Sequence, residues 1–295
     1  MKSERYLGYL WVLPAAVLVS VFCLYPPIYA IGLAFTDYGG VVTKFVGLEN
    51  FTKILSDSIF WRGMKHITVL TLWGLITSCV SAILLAEMFF RLKYDKLSGV
   101  FRFLYIIPTL VPGIVHMLIW QRIIFTPEPS GLANSLLTLL GMENLGWYYD
   151  DLNSGVPFLS LILTGFPFIG GSTFLIYLAG LNNISEGVTE AAQLDGVTTW
   201  QSIWYIDIPF MMGQIKYTII TGIIGGLQGY SMQVMFTKGG PNHGTTVPGW
   251  YMYEYAFTYG KYGYASAVGV IMFLVILGLT IFNFKFINKK EESAI

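Results

Sequence analysis

Charge is what this chain has least of. Asp, Glu, Lys and Arg together make up 12% of its 295 residues, with 17 acids against 17 Lys and Arg; a soluble domain usually carries about 25%. So few ionised groups cannot clothe a globule of this size in water, which excludes an ordinary soluble enzyme. The formal net charge of +0 removes the electrostatic footprint of a nucleic-acid binder. Cysteine is scarce too: Cys23 and Cys79 both lie in apolar runs and read as small core residues, not as a disulfide or metal site. The histidines His66, His116 and His243 are scattered. There is no Walker A sequence, no H-E-x-x-H and no nucleophile elbow, so no catalytic and no metal-binding residue is assigned. What is abundant is apolar: 55% of residues are hydrophobic and the mean hydropathy is +0.62.

A bilayer core about 30 Å thick needs roughly 20 apolar residues of helix. Uncharged windows cover 6–36, 66–86, 103–121, 152–185, 217–237 and 262–284. They predict an all-α integral membrane protein with six transmembrane helices, at about 9–35, 66–89, 102–125, 157–181, 212–236 and 263–285, in one domain over 1–295. The first run is too long for the core of a secretory signal and contains Pro14, Pro26 and Pro27, so it reads as a kinked helix. The stretch 129–142 reads as a short helix on the membrane surface. The stretch 239–253, with Gly239, Gly240, Pro241, Gly244, Pro248 and Gly249, reads as loop. Lys2 and Arg5, then Arg91, Lys93, Lys96 and Arg102, then Lys285, Lys289 and Lys290 fall on one side, which the positive-inside rule makes cytoplasmic, with both termini inside. The connection 126–156 has acids and no Lys or Arg; Lys44, Lys53, Arg62 and Lys65 of the first connection run against the rule.

The span centres lack Asp, Glu, Lys and Arg, the groups that proton- or sodium-driven carriers place at midplane. If the chain transports a solute, the energy must then enter from a partner, through a surface on the cytoplasmic side. The fourth connection offers the surface. Residues 186–194 hold good helix formers and no breaker, with Val188, Ala191, Ala192 and Leu194 for an apolar face. Asp195-Gly196 is a turn signal. Thr198 followed by Gln201 fits a capping box for a second helix from 199 to about 206, ending near Pro209. Residues 185–209 are therefore expected to form a cytoplasmic helix-turn-helix hairpin. Ala191 and Ala192 let another surface approach, Gly196 permits the bend, and Glu190 can anchor the hairpin or bond to a partner. His116, inside a span, reads as a helix-packed neutral imidazole, with a proton or ligand site as the alternative.

The series Glu190-Ala191-Ala192, three residues, Gly196, nine residues, Ile206-Asp207-Ile208-Pro209 is similar to the signature loop, the EAA motif, of ABC importer permeases, and Asp195 stands where their aspartate precedes the glycine. Other stretches resemble the carbohydrate branch, the maltose- and glycerol-phosphate-permease-like group: Tyr9-Leu10-Trp11-Val12-Leu13-Pro14-Ala15 with Tyr25-Pro26, Phe101-Arg102 with Pro108, Gly131-Leu132-Ala133-Asn134-Ser135-Leu136-Leu137, and Thr237-Lys238-Gly239-Gly240-Pro241. The likeness spans nearly the whole chain and is greatest to the MalF-like partner of a heterodimer. Three positions depart from the pattern: Ile208 replaces Leu, Gly213 stands where a second Pro is common, and the hairpin has no Arg or Lys.

The resemblance implies a MetI-like, type I importer fold in the cell membrane, translocating a carbohydrate by alternating access. It implies ATPase coupling through Glu190, Ala191, Ala192, Asp195 and Gly196. It also implies a second permease, an ATPase dimer that uses ATP and Mg, and an extracytoplasmic solute-binding protein, with no cofactor held by this chain. A solute path near midplane would involve Gly165, Phe166 and Phe168 of the fourth span and Gly226, Gln228, Gly229, Tyr230 and Gln233 of the fifth. Aromatic rings pack on the apolar faces of sugars while amides bond their hydroxyls. Gly222, Gly225, Gly226 and Gly229 read first as a small-residue packing face, with a roomier cavity as the alternative. The aromatic run 250–264 reads as an interfacial belt, with stacking platforms for a glycan as the alternative. Glycerol phosphate or another polar solute is the alternative cargo, disfavoured by the lack of midplane Arg or Lys. A passive channel and a six-span membrane enzyme are the alternatives from other classes.

Overall fold

The computed structural model describes residues 2–40, 43–92, 95–150, 155–166 and 171–287. Among them there is no strand, only an isolated bridge between Thr36 and Phe45. Helix α1 (Lys2–Val19) passes through a π turn (Ser20–Leu24) into α2 (Tyr25–Leu33). The π turn answers the double proline that follows: Pro26 and Pro27 have no N–H to give and crowd the carbonyls one turn back, and a widened turn moves those carbonyls aside. After α3 (Glu49–Ser56), the long α4 (Ser58–Phe90) starts on Asp57, whose side chain accepts from Ile59 N at 2.7 Å. Its 33 residues make about 50 Å of helix, more than a bilayer core needs.

The expected span 102–125 is not one helix. Helices α5 (Asp95–Leu110) and α6 (Gly113–Ile119), the latter extended by a π turn (Trp120–Ile124), meet at 92°. Pro112 explains the corner: it lacks an N–H and pushes Val111 out of the helical region. Helix α7 (Leu132–Leu139) is the expected short helix. Then follow α8 (Gly155–Leu163) and α9 (Gly171–Asn182), separated by a break that contains Gly165 at φ +88. Helices α10 (Glu186–Leu194) and α11 (Thr199–Ser202), a π turn (Ile203–Asp207) and α12 (Ile208–Phe210) lead into α13 (Met212–Leu227). The chain breaks again at 228–230 before a π turn (Gln233–Thr237). The stretch expected to be loop through 253 is loop only to Val247: α14 (Pro248–Tyr253) starts with proline in the first turn, where its missing N–H costs nothing, and runs through a π turn (Glu254–Thr258) toward α15 (Tyr262–Ile287).

Three stretches, 9–33, 58–90 and 262–283, are long and apolar enough to cross a membrane, and the bent α5–α6 pair would be a fourth. The expected fourth and fifth spans are the interrupted segments α8–α9 and α13 with its π turn. Helix α4 is the axis of the bundle, with α9 and α13 packed along it. A Cβ on Gly226 would lie 2.6 Å from Thr71 Cγ2, and one on Gly222 would collide with Leu75. These two glycines therefore serve close helix packing, as their spacing suggested. The α1–α2 column touches the bundle where α2 meets α15, yet none of its apolar window is buried. It is held at its end, where Asn50 Nδ2 donates to Ala34 O and Thr36 O, both at 2.9 Å. Cys23 on that column is exposed, which corrects its reading as a core residue: an apolar run in a membrane protein can face lipid instead of protein.

Candidate functional site

The hairpin forms as its residues dictate. Helix α10 ends with Val197 N donating to Ala192 O at 3.0 Å and Gly196 N to Gln193 O at 3.1 Å, the double closure of a glycine-terminated helix. Gly196 sits at φ +72, and no atom lies within 4 Å of where its Cβ would be; the demand is for backbone handedness alone. Thr198 and Gln201 complete the capping box: Gln201 Oε1 accepts from Thr198 N at 2.8 Å and Thr198 Oγ1 accepts from Gln201 N. The expected apolar face of α10 is divided. Val188 packs on the core cluster around Ala86, Phe89 and Met211, and Ala192, four residues on, is half-buried beside it. Ala191 is exposed, and Leu194 turns outward at 89% exposed. Trp200, Trp204 and Tyr205 are also exposed, at 67%, 62% and 79%. Glu190 and Asp195 are exposed.

The hairpin has no base of its own, yet its buried acid has one. Asp207 is 1% exposed, and its Oδ2 accepts from Arg91 Nη2 at 2.5 Å and from Ser202 Oγ at 3.2 Å. Arg91 Nε also reaches Glu87 Oε2 at 3.1 Å. Glu87 is buried, and its second oxygen, Oε1, has no partner. The two acids are buried while Arg91 is 33% exposed, so water screens the pair and losing one member costs less than in a fully buried pair. Sequence reasoning counted Arg91 only as a cytoplasmic positive charge and gave Asp207 no role. The available signal was an acid standing inside the otherwise apolar Ile206–Pro209 run.

Along α4, α9 and α13 lies a groove of about 340 Å³ with Thr71, Ser78, Thr173, Thr218 and Thr221 on its walls and no charged residue among its lining. Ser78 Oγ and Thr173 Oγ1 are 3.4 Å apart, while Thr218 and Thr221 donate back to Gln214 O and Tyr217 O at 3.0 and 2.8 Å. Thr71 Oγ1 is buried without a partner. These hydroxyls were missed because threonine and serine in apolar helices bond the carbonyl a turn back and barely change the hydropathy pattern.

The residues expected along the solute path do not gather in one place. Gln228 caps α13 and, with Tyr230, lines a cleft of about 330 Å³ closed by Met252, Met272 and Phe273. Gly226 borders the hydroxyl groove. Gly229 is exposed. Gly165 makes the turn after α8, and Phe166, 44% exposed, sets its ring 5.9 Å from that of Trp73. Gln233 is 2% exposed, at the start of the π turn that follows α13. Phe168 lies outside the described residues.

The aromatic run is largely occupied with itself. Trp250 and Tyr251 are buried, and ring centroids approach to 5.5 Å for Trp250–Tyr253, 4.6 Å for Tyr251–Tyr255 and 4.5 Å for Tyr255–Tyr264. Tyr251 Oη donates to Asp57 Oδ2 at 2.6 Å and meets Tyr264 Oη at 2.8 Å. Burial first, and the neighbouring carboxylate next, push its phenol well above the ordinary tyrosine range. Phe257 and Tyr259 remain exposed. His116 Nε2 accepts from Trp120 Nε1 at 3.1 Å, a packed imidazole one turn away on its own helix.

Residues 78–291 match the family described as binding-protein-dependent transport system inner membrane component. The arabinooligosaccharides transport system permease protein of Bacillus subtilis (strain 168) is 31% identical over 285 residues, covering 96% of this chain and 89% of that one. The lactose transport system permease protein of Rhizobium radiobacter is 28% identical over 282 residues, covering 94% and 92%. The fold is also that of a bacterial ABC transporter chain involved in the import of the acidic polysaccharide alginate: the TM-score is 0.85 at 21% identity, over 97% of this chain and 96% of that one. With a hairpin bearing the Glu-Ala-Ala series and a family match over most of its length, the chain belongs to the binding-protein-dependent transport system inner membrane components, the permease subunits of ABC transporters.

Proposed function

We propose that the chain is one of two permease subunits of an ATP-driven importer of a neutral carbohydrate, an oligosaccharide or related sugar. It crosses the membrane six times with both termini and the hairpin in the cytoplasm. The interrupted segments α8–α9 and α13 with its π turn act as the fourth and fifth spans. Backbone breaks inside a membrane are tolerated only where protein covers them or a watery cavity receives them. The breaks at Gly165 and at 228–230 accordingly border the solute path, which also takes in the hydroxyl groove. The relatives named for sugar transport support the cargo class, and so does a groove that offers hydroxyls and no charge. An anionic cargo would want Arg or Lys there.

The observation that carries the reading is the hairpin. It presents Glu190, Ala191 and Leu194, with Trp200 and Trp204 on its return limb, to a side that none of the described residues covers. An ATPase dimer docks there; the permease performs no bond chemistry and binds no nucleotide. ATP drives transport because the closed ATPase pair favours one of two arrangements of the bundle; equal affinity for both would move nothing. The α1–α2 column, exposed over residues 9–29 although α2 touches α15, offers a flank to the second permease.

Co-expression with candidate partner subunits tests this. The expected result is a detergent-stable complex containing an ATPase, with ATP hydrolysis that rises when sugar-loaded binding protein is added. A hairpin labelled by a membrane-impermeant reagent from outside the cell, or hydrolysis indifferent to loaded binding protein, would sink the reading.

A further inference from the structure

The ion cluster at Arg91 joins two segments: the end of α4, through Glu87 and its C-cap Arg91, and the return limb of the hairpin, through Asp207. We propose that Arg91 is a positioning residue for transport, the strut through which movement of the hairpin reaches α4; the proposal rests on the docking of the hairpin to an ATPase. The guanidinium suits the task because its planar fork bonds two carboxylates from different elements at once, with the short, directional contacts of charge-assisted hydrogen bonds. Asp207 closes a π turn directly ahead of Ile208–Phe210, so displacement of the hairpin pulls at the entry to α13.

At the other end of the strut stands the longest helix of the chain. Ser78 and Thr71 lie along α4 at about 20 and 30 Å from Arg91 by helical rise, and both line the hydroxyl groove. A rigid helix held at Arg91 therefore carries a shift at the hairpin to the groove. Stability alone is a poor explanation of the cluster. A buried ion group is commonly no more stable than well-packed apolar residues of the same volume, and this one leaves Glu87 Oε1 without a partner. What the charges add is a fixed geometry between two elements.

The test uses the complete importer in proteoliposomes and reads solute imported per ATP hydrolysed. A Gly187→Cys crosslink to the ATPase reports docking, since residue 187 is exposed with free space around it. The neutral triple variant Glu87→Gln, Arg91→Met, Asp207→Asn leaves no unpaired charge. It is expected to assemble, to crosslink and to hydrolyse ATP, with the import ratio lowered at least about tenfold, equivalent to about 1.4 kcal/mol of lost coupling. A parental ratio in that variant overturns the strut. Should the triple variant fail to assemble, Arg91→Lys decides, because it keeps the charge but not the fork: a reduced ratio supports the strut and a parental ratio overturns it. Absence of the crosslink in an otherwise unaltered chain rejects hairpin docking itself, a failure separate from that of the strut.

Discussion

The two ends of α4 are built on opposite plans. At the end near Asp57, several separate hydrogen bonds lock it to its surroundings. Asp57 caps the helix and accepts from Tyr251, Arg62 Nη1 donates to Asn242 O at 3.0 Å, and His66 Nδ1 donates to Thr246 O at 2.9 Å. Thr245 and Thr246 beneath are fully buried, and Gly63 lets the backbone of Val247 and Pro248 approach to 3.4 Å of where its Cβ would stand. At the end near Arg91, an ion cluster and the packing of Val188 against the cluster around Ala86 and Phe89 tie the helix to a hairpin that shows much of its apolar surface. If the hairpin is the proposed docking handle, the contrast has a reason: a platform that stays still is knit by many bonds, while a handle is joined at fewer points and keeps its outer surface open.

The comparison breaks if variants at the two ends behave alike. The largest expected effect is at the handle. Gly196→Trp should abolish uptake while leaving membrane levels unchanged, because it forces a side chain onto a left-handed backbone at φ +72 and puts an indole on the docking surface; normal uptake would contradict the coupling role. Gly196→Ala sharpens the point. Handedness alone costs about 1 kcal/mol, so a partial loss separates strain from bulk.

Away from the handle, in the connection 126–147, Asn134→Ala should cost about 2–4 kcal/mol with import per ATP unchanged. Asn134 is fully buried, accepts from Leu145 N at 3.1 Å and Trp147 Nε1 at 2.8 Å, and donates to Leu145 O. A fall in thermal midpoint in detergent is the readout, and an unchanged midpoint would deny the network its structural part. Tyr251→Phe should cost less, about 2 kcal/mol for a lost bond to a carboxylate, again by thermal midpoint and again without changing the import ratio. The smallest effect is Thr198→Ala, which removes the cap of α11 for about 1 kcal/mol. Faster hydrogen exchange of the amides at 199–202 would report it, and no change would mean that tertiary contacts, not the cap, hold the return limb.

The hairpin was legible because its rules are local. The Gly196 bend and the Thr198–Gln201 box depend on residues a few positions apart, and both stand as expected. Close packing at Gly222 and Gly226 was legible from spacing. The continuous spans drawn through 102–125 and 212–236 were not, because hydropathy averages over a window and does not register a corner at Pro112 or a break at 228–230. The same averaging hid the hydroxyls of Thr71, Ser78 and Thr173, and the tally of breakers in 239–253 hid α14.

Composition and short motifs by themselves determined that the chain is helical, that it belongs in a membrane and that its hairpin carries the Glu190-Ala191-Ala192 series, since hydropathy, caps and turn residues act within a few turns of chain. Only the tertiary structure decided which acid meets which base, which glutamine is covered and which hydroxyls share a groove. Arg91 and Asp207 are 116 positions apart, and no local pattern records a partner that arrives only when α4 and the hairpin pack together.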